Sequence, residues 1–477
     1  MIKIDARGCG QGKSRSGIYP RLILNEQTNK PTLVIVPSKL IQDQYCNDLP
    51  DLPWTKIQSI EINDDGIKGN TKNVGADLIS AMSQNKPLIL ITHQAFIQAM
   101  LKYSLKNNYW LECDEAINPF DTEKGINISR RENRDIKENI SIESMSMFND
   151  SKIGKLWFPV HFNKMISSSM IFSGDLWKKL NHPNWQSWMN GEQWTKFSGE
   201  DDIVDGHIEF TLSSSIFEGW RAVNIAASAF QHTKMALWMN YNEIPYIVEK
   251  EFVPHTKVPK LFGPEDYRHT ISGPRRKKNE ALNQFYEYVQ EHIKDESIIL
   301  LKNKNANCSL KNTEVVAPNC HGLNSYQHIS NVCISSAINP DLEHSYFLRT
   351  LFYKTNPLIS EDDFKKQLSL IFAGYDYYQV LMRSSLRDQN NKQLVNVFLM
   401  DSMIYNNIIN FFDFKIKSGI NEVTDPLIIE LPCFKKKEKK VKIKKEKKIA
   451  MTNAEKQKVY RDRKKNSLKN QIGDMDL

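Results

Sequence analysis

Four short apolar runs, at residues 2–6, 32–36, 88–92 and 109–113, alternate with stretches of helical periodicity at the start of the chain. A run such as Thr32-Leu33-Val34-Ile35-Val36 has almost no polar face, so it needs cover on both sides. The pattern therefore restricts this region to a parallel sheet with helices packed on both faces, an α/β fold. In such sheets ligands lie at the carboxyl ends of the strands. Three of the four runs end in residues able to do chemistry: Lys13 and Ser14 soon after the first, Thr92, His93 and Gln94 after the third, Asp114 and Glu115 after the fourth.

The pattern loosens between residues 118 and 219. A charged stretch there precedes an aromatic-dense one holding Trp157, Trp177, Trp185, Trp188 and Trp194, and the whole reads as an insertion. The tryptophans predict either the core of a small subdomain, the more common use of such residues, or a stacking platform for bases. Strand-like runs return at 222–227 and 245–248, with a helix expected over 230–239. A second α/β pattern covers 241–414, with a helix at 279–292 and strands at 297–301, 332–335 and 394–399. The stretch 252–276, with Pro254, Pro259, Pro264 and Pro274, predicts a connection or flap between domains. The expected plan is a first domain over 1–240 carrying the insertion 118–219, a second over 241–432, and a tail over 433–477.

Composition narrows the function classes. No run approaches the ~18 apolar residues of a membrane span, and the first residues lack the layout of a signal peptide, so the expected location is the cytoplasm. Seven cysteines without a C-x-x-C pair argue against a disulfide framework or a cysteine zinc site. His161, His182 and His207 show no ligand spacing. Net charge is +8, yet residues 435–469 alone hold 17 Lys/Arg against 4 acids, leaving 1–434 slightly acidic. That tail is expected to be disordered by itself. It would neutralise backbone phosphates without sequence preference and with steep salt dependence; a solubilising tail is the plainer alternative.

The sharpest local signal is Gly8-Cys9-Gly10-Gln11-Gly12-Lys13-Ser14, set between a strand and a helical pattern. Gly8, Gly10 and Gly12 let the backbone curl around an anion, and the following helix adds its positive end. Lys13 is expected on the β- and γ-phosphates, with the Ser14 hydroxyl on Mg²⁺. Arg7 stands where the strict G-x-x-x-x-G-K-[ST] pattern has glycine. Asp114 is expected to hold Mg²⁺ as well, and Glu115 to orient and deprotonate the attacking water.

With these residues in view, the chain resembles the superfamily 2 DNA and RNA helicases, whose motif I corresponds to Gly8 through Ser14 and whose D-E-A-x motif II corresponds to Asp114-Glu115-Ala116-Ile117. Pro37-Ser38-Lys39 and Thr92-His93-Gln94 look like nucleic-acid-contacting motifs, or else are ordinary polar loops. Ala226-Ala227-Ser228-Ala229 is favoured over Ser173-Gly174-Asp175 as motif III. His321-Gly322-Leu323-Asn324-Ser325-Tyr326 looks like motif V, with Asn324 toward nucleic acid. The stretch from Tyr378 and Gln379 to Arg387 looks like motif VI.

Arg383 and Arg387 are expected one helical turn apart on one face, reaching across a cleft toward the γ-phosphoryl. The resemblance implies two RecA-like parallel-sheet domains in tandem, ATP and Mg²⁺ as cofactors, and single-stranded or forked DNA as partner. It is nearest to phage and viral enzymes, which further implies replication proteins as partners, a monomer and the host cytoplasm. Two rivals stand beside it: a phage packaging-type ATPase with a nuclease domain, and a catalytically degenerate DNA-binding scaffold.

Overall fold

The computed structural model describes residues 1–58, 73–100, 108–128, 140–142, 157–162, 176, 179–180, 182–199, 201–252, 259–264, 280–303, 306–317, 325–336, 338, 341–388, 390–400, 402–412 and 427–429. The first lobe is built on a seven-stranded sheet in the order Tyr246–Lys250, Ile2–Asp5, Ala222–Ala226, Trp110–Asp114, Thr32–Val36, Leu88–Thr92, Trp54–Ile57. Every pairing is parallel. The apolar runs read from sequence are these strands, within a residue or two at each end. Their interiors are sealed: Ile4, Leu33, Val34, Ile35, Leu88, Ile89 and Leu111 have no solvent exposure.

The order of strands positions the chemistry. Ile2–Asp5 leads into the glycine loop, Trp110–Asp114 ends in the acidic pair, and the late strand Ala222–Ala226 lies between them. Register aligns Asp5 with Ala226 and Ala226 with Asp114, so all three strands end level. One charge sits inside this sheet: Glu112 is wholly buried, accepts a forked pair of bonds from Arg21 at 2.8–3.1 Å, and accepts another from Asn224 Nδ2 at 2.6 Å. A buried carboxylate is tolerated only when its lone pairs are taken up like this. Here the pairing fixes the helix Tyr19–Gln27, which follows the glycine loop, onto the sheet.

The insertion is a five-stranded antiparallel sheet in the order Phe120–Ile128, Ile203–Leu212, Trp185–Asn190, Trp157–Phe162, Ile140–Ile142. Trp157, Trp185 and Trp188 are buried in it, and Trp188 Nε1 donates to Thr211 Oγ1 at 3.1 Å. Of the two readings of the tryptophans, the core is the one realised for these three. Trp194 packs half-buried against the same core, and Trp177 lies outside the described residues.

The second lobe carries six parallel strands in the order Thr313–Val316, Ile298–Leu301, Asn331–Ile334, Asn396–Leu399, Lys260–Pro264, Leu427–Ile429. Lys260–Pro264 places a sheet strand inside the stretch 252–276, which was expected to be a connection or flap between domains. The prolines at 259 and 264 bracket a segment whose Leu261 and Phe262 are buried, with Phe262 stacked on Phe398 at 4.8 Å between ring centroids. Burial outweighs the proline signal, because the prolines stand just outside and at the last position of the strand. The lysine-rich tail lies outside the described residues, and no described helix is long and apolar enough to cross a membrane.

Between Asn331–Ile334 and Asn396–Leu399 the chain makes a helical excursion, beginning with Leu342–Thr355, that packs on the inserted sheet. Phe347 meets Phe120, Trp157 and Trp188 edge-on at 5.5–6.0 Å. At the margin of that cluster Glu209, fully buried, accepts from His207 Nε2 at 2.8 Å, His344 Nδ1 at 2.8 Å and Thr122 Oγ1 at 2.7 Å. Burial alone would raise its pKa, but the two histidine bonds outweigh it and hold the carboxyl below the usual glutamate range.

A carboxyl whose folded pKa is depressed contributes stability above its unfolded pKa, about 4.3, and loses it as the pH falls further. Glu209→Gln should therefore destabilise the protein at pH 7 by about 1–3 kcal/mol. It should also flatten the loss of thermal stability below about pH 4.3. Parallel melting curves for variant and wild type between pH 3 and 7 would contradict this.

Candidate active site

Two of the three loop glycines adopt a left-handed backbone, Gly10 and Gly12 each at φ 78°. That region strongly favours glycine. Gly12 opens a π-helical turn, Lys13–Ile18, that continues into the helix Tyr19–Gln27. Widened turns of this kind recur at functional sites. Arg7, where the strict motif has glycine, braces the loop from behind. Its guanidinium binds both oxygens of Asp5 at 2.9 and 2.6 Å, the Gln11 carbonyl at 3.1 Å and Ser16 Oγ at 2.9 Å. Lys13 is buried, and its ammonium donates to the Arg7 carbonyl at 3.2 Å and to the Ser228 hydroxyl. Ser228 belongs to Ala226-Ala227-Ser228-Ala229, which also receives the Glu115 amide on Ala226 O at 3.0 Å. That stretch thus touches both the lysine and the acidic pair. Ser173-Gly174-Asp175 lies outside the described residues.

Adjacent residues of a strand point to opposite faces, which would separate Asp114 from Glu115. Glu115 escapes the alternation by turning into the left-handed region at φ 72°, and both carboxylates line one cavity. Tyr45 O–H donates to Asp114 Oδ2 at 2.9 Å, and Tyr375 O–H to Glu115 Oε2 at 3.1 Å. Burial, reinforced by the neighbouring Glu115 charge, pushes the Asp114 carboxyl up to about 7 against the opposing pull of Tyr45, Lys13 and Arg387.

The second lobe closes the cavity. Helix Tyr375–Leu381 ends before the arginines, which corrects the expectation that Arg383 and Arg387 share a helical face. Ser384 causes the break: its extended backbone starts a separate 3₁₀ turn, and its hydroxyl donates to Leu381 O at 2.7 Å while accepting from Leu386 N at 3.2 Å. A serine that bonds nearby backbone groups in this way competes with the helix. Both arginines nonetheless reach the cavity. Arg383 is 1% exposed and donates to Gln379 Oε1 at 3.1 Å, whereas Arg387 is half-buried.

The cavity measures about 560 Å³, within the range of small-molecule sites. Gly10, Gly12, Lys13, Ser14, Asp114, Glu115, Arg383 and Arg387 all line it. Gly8 and Gln379 stand just behind the wall: Gly8 N donates to Gln11 Oε1 at 2.7 Å, and Gln379 Oε1 accepts from Cys9 Sγ at 3.4 Å.

Among the described residues, none of those expected to contact nucleic acid lines the cavity. Ser38 and Thr92 begin helices, accepting from Ile41 N at 3.4 Å and Ala95 N at 3.2 Å, while His93 Nε2 meets the Asp114 carbonyl at 3.0 Å. Lys39 is half-buried and Gln94 exposed; Asn324 is outside the described residues. Sequence reasoning missed Tyr45 and Tyr375 as site residues; nothing in their local pattern marks them, since the topology alone brings them to the acidic pair. Ser228 and Tyr378 lie within the stretches 226–229 and 378–387 that the sequence does mark, but it assigns neither a contact of its own.

Contact between the lobes is direct. The Cys9 amide donates to Tyr378 Oη at 2.9 Å. A Cβ on Gly10 would meet Arg387 Cγ at 2.8 Å and the Arg387 carbonyl at 2.9 Å. The donor set suits a magnesium nucleotide, because the Ser14 hydroxyl and Asp114 carboxylate are hard oxygens lining one cavity with the Lys13 ammonium. Among the described residues no group of three or more His, Cys, Asp or Glu is placed to hold a metal ion.

No family model and no curated protein matches the chain. Among solved structures it is similar to one designated XPD_APO, with a TM-score of 0.46 and 10% identity over 90% of this chain and 97% of the other. It is also similar to the structure of S. tokodaii Xpd4, with a TM-score of 0.45 and 12% identity over 90% and 96% of the two chains.

The close approach at Gly10 generates a test. Gly10→Ala should cost about 1–3 kcal/mol of stability, through both backbone strain and the clash. Adding Arg387→Ala removes the Cγ contact and should recover part of the loss in thermal unfolding. Simple additivity of the two substitutions would show that loop and arginine are uncoupled.

Proposed function

We propose that the protein is an ATP-dependent nucleic-acid translocase or helicase of superfamily 2 type that hydrolyses ATP between its two lobes. The observation that carries the reading is that one cavity collects Lys13, Ser14, Asp114 and Glu115 from the first lobe and Arg383 and Arg387 from the second. A loop that only bound an anion would not need acids and arginines arriving from two other parts of the chain. Motif order supports the same reading, and phage DNA replication or recombination is the setting the resemblance implies.

In this scheme the glycine loop and Lys13 hold the β- and γ-phosphates. Ser14 and Asp114 would hold Mg²⁺, which when bound neutralises developing phosphate charge. Glu115 accepts a proton from the attacking water, whose oxygen bonds the γ-phosphorus as the bond to the ADP oxygen breaks. Arg383 and Arg387 offset charge on the transferring group; arginine fingers contribute roughly 10³–10⁵ in rate where established. Opening and closing of the cleft would then move a nucleic-acid strand, with Ser38, Lys39, Thr92, His93, Gln94 and Asn324 as candidate contacts and the lysine tail as a non-specific tether.

The test is phosphate release with and without single-stranded DNA. The wild-type protein should show DNA-stimulated hydrolysis. Glu115→Gln should lose about 10²–10⁴ of that rate while still binding nucleotide. Nucleotide retention with no hydrolysis in the wild type would favour a degenerate scaffold instead, and metal-dependent nicking of DNA a packaging-type enzyme.

A further inference from the structure

Helix Tyr375–Leu381 carries the run Tyr375-Asp376-Tyr377-Tyr378, whose first three residues precede the stretch read as motif VI. Its tyrosines face different ways. Tyr377 is tied to its own lobe, donating to the Ser336 carbonyl at 3.0 Å and accepting from the Ile338 amide at 3.0 Å. Tyr378 and Tyr375 reach the first lobe, at the Cys9 amide and the Glu115 carboxylate respectively. The Tyr375 hydroxyl is buried, and it meets a carboxylate 260 positions away in sequence.

Glu115 needs such a partner. Its backbone sits at φ 72°, a conformation that costs a side-chain-bearing residue of order 1–3 kcal/mol and persists only where the surroundings impose it. Its amide is held by Ala226 O at 3.0 Å, and its carboxylate by Tyr375. Burial first, and then the Glu115 charge, push the Tyr375 hydroxyl well above the usual tyrosine range, so it stays a donor. Tyr375 does not line the cavity, so it has no direct part in holding a nucleotide there.

We propose that Tyr375 is a positioning residue whose hydroxyl, delivered by the second lobe, holds the Glu115 carboxylate in the orientation from which it takes the proton of the attacking water. The inference rests on the ATPase reading above and adds to it a coupling: lobe closure completes the water-activating group as well as the arginine side of the site. The step it serves is balanced by water alone. The water oxygen bonds the γ-phosphorus, the phosphorus–oxygen bond to ADP breaks, and the proton passes to Glu115.

The experiment uses the full chain with Tyr375→Phe, which deletes one oxygen and keeps the ring. With saturating single-stranded DNA, kcat for ATP should fall about 10- to 100-fold, the scale of a misplaced catalytic group. KM and the Kd of a fluorescent ATP analogue should stay within about threefold, as expected when only a transition-state contribution is lost. In a Glu115→Gln background, adding Tyr375→Phe should cause no further fall in single-turnover rate.

An unchanged kcat, or a full additional loss in the Glu115→Gln background, overturns the inference. So does a parallel worsening of kcat and KM, which is the mark of a structural role. Should Tyr375→Phe fold poorly, Tyr375→His, which restores a donor, must turn over faster than Tyr375→Leu; equal rates overturn the inference. A wild-type protein without DNA-stimulated hydrolysis would sink the ATPase reading itself, whereas normal wild-type turnover with an unaffected Tyr375→Phe sinks this inference alone.

Discussion

The approach of Arg387 to the backbone of Gly10, within 3 Å of where a side chain would begin, is the contact on which the rest of the molecule turns. Each lobe alone offers only half a site: a phosphate-type loop with two acids on one side, two arginines on the other. Their meeting forms one cavity lined by Lys13, Asp114 and Glu115 from the first lobe and Arg383 and Arg387 from the second. Charge–charge interactions strengthen as water is excluded. Burial at this junction, with the Glu115 charge beside it, is what drives the Asp114 carboxyl toward neutrality.

The surrounding fold keeps this contact in place through a second, larger junction. The antiparallel sheet inserted in the first lobe receives the helices of the second around Phe120, Trp157, Trp188 and Phe347. The buried core consequently runs from the first sheet, through the insertion, to Phe372 without a break. The insertion is thus a joint between lobes, and any opening of the cleft must pivot about it or slide across it. At the cleft itself the links are hydrogen bonds and side-chain contacts, such as Tyr378 to the Cys9 amide, which are easier to exchange than an aromatic core.

Much of this was legible in the residues, and the exceptions have physical causes. Strands such as Thr32–Val36 and Ile298–Leu301 announce themselves because both faces are buried and the chain must be apolar throughout. The glycine loop is legible because left-handed backbone, as at Gly10 and Gly12, favours glycine. The helix break at Ser384 was missed because a serine is compatible with a helix until its hydroxyl finds local backbone partners. The strand Lys260–Pro264 was hidden by its prolines. Tyr45 and Tyr375 could not be singled out at all, and Tyr378 only as the first residue of a longer stretch. Each is an aromatic on a helix, and only the folding of distant segments onto the loop gives its hydroxyl a task.

The central claim, that both lobes engage one triphosphate, is tested most directly by determining the structure with a non-hydrolysable ATP analogue and Mg²⁺. The account predicts phosphates in the cavity within hydrogen-bond reach of Lys13 and of at least one of Arg383 and Arg387. An analogue bound elsewhere, or held by the glycine loop with both arginines turned out of reach, would contradict it.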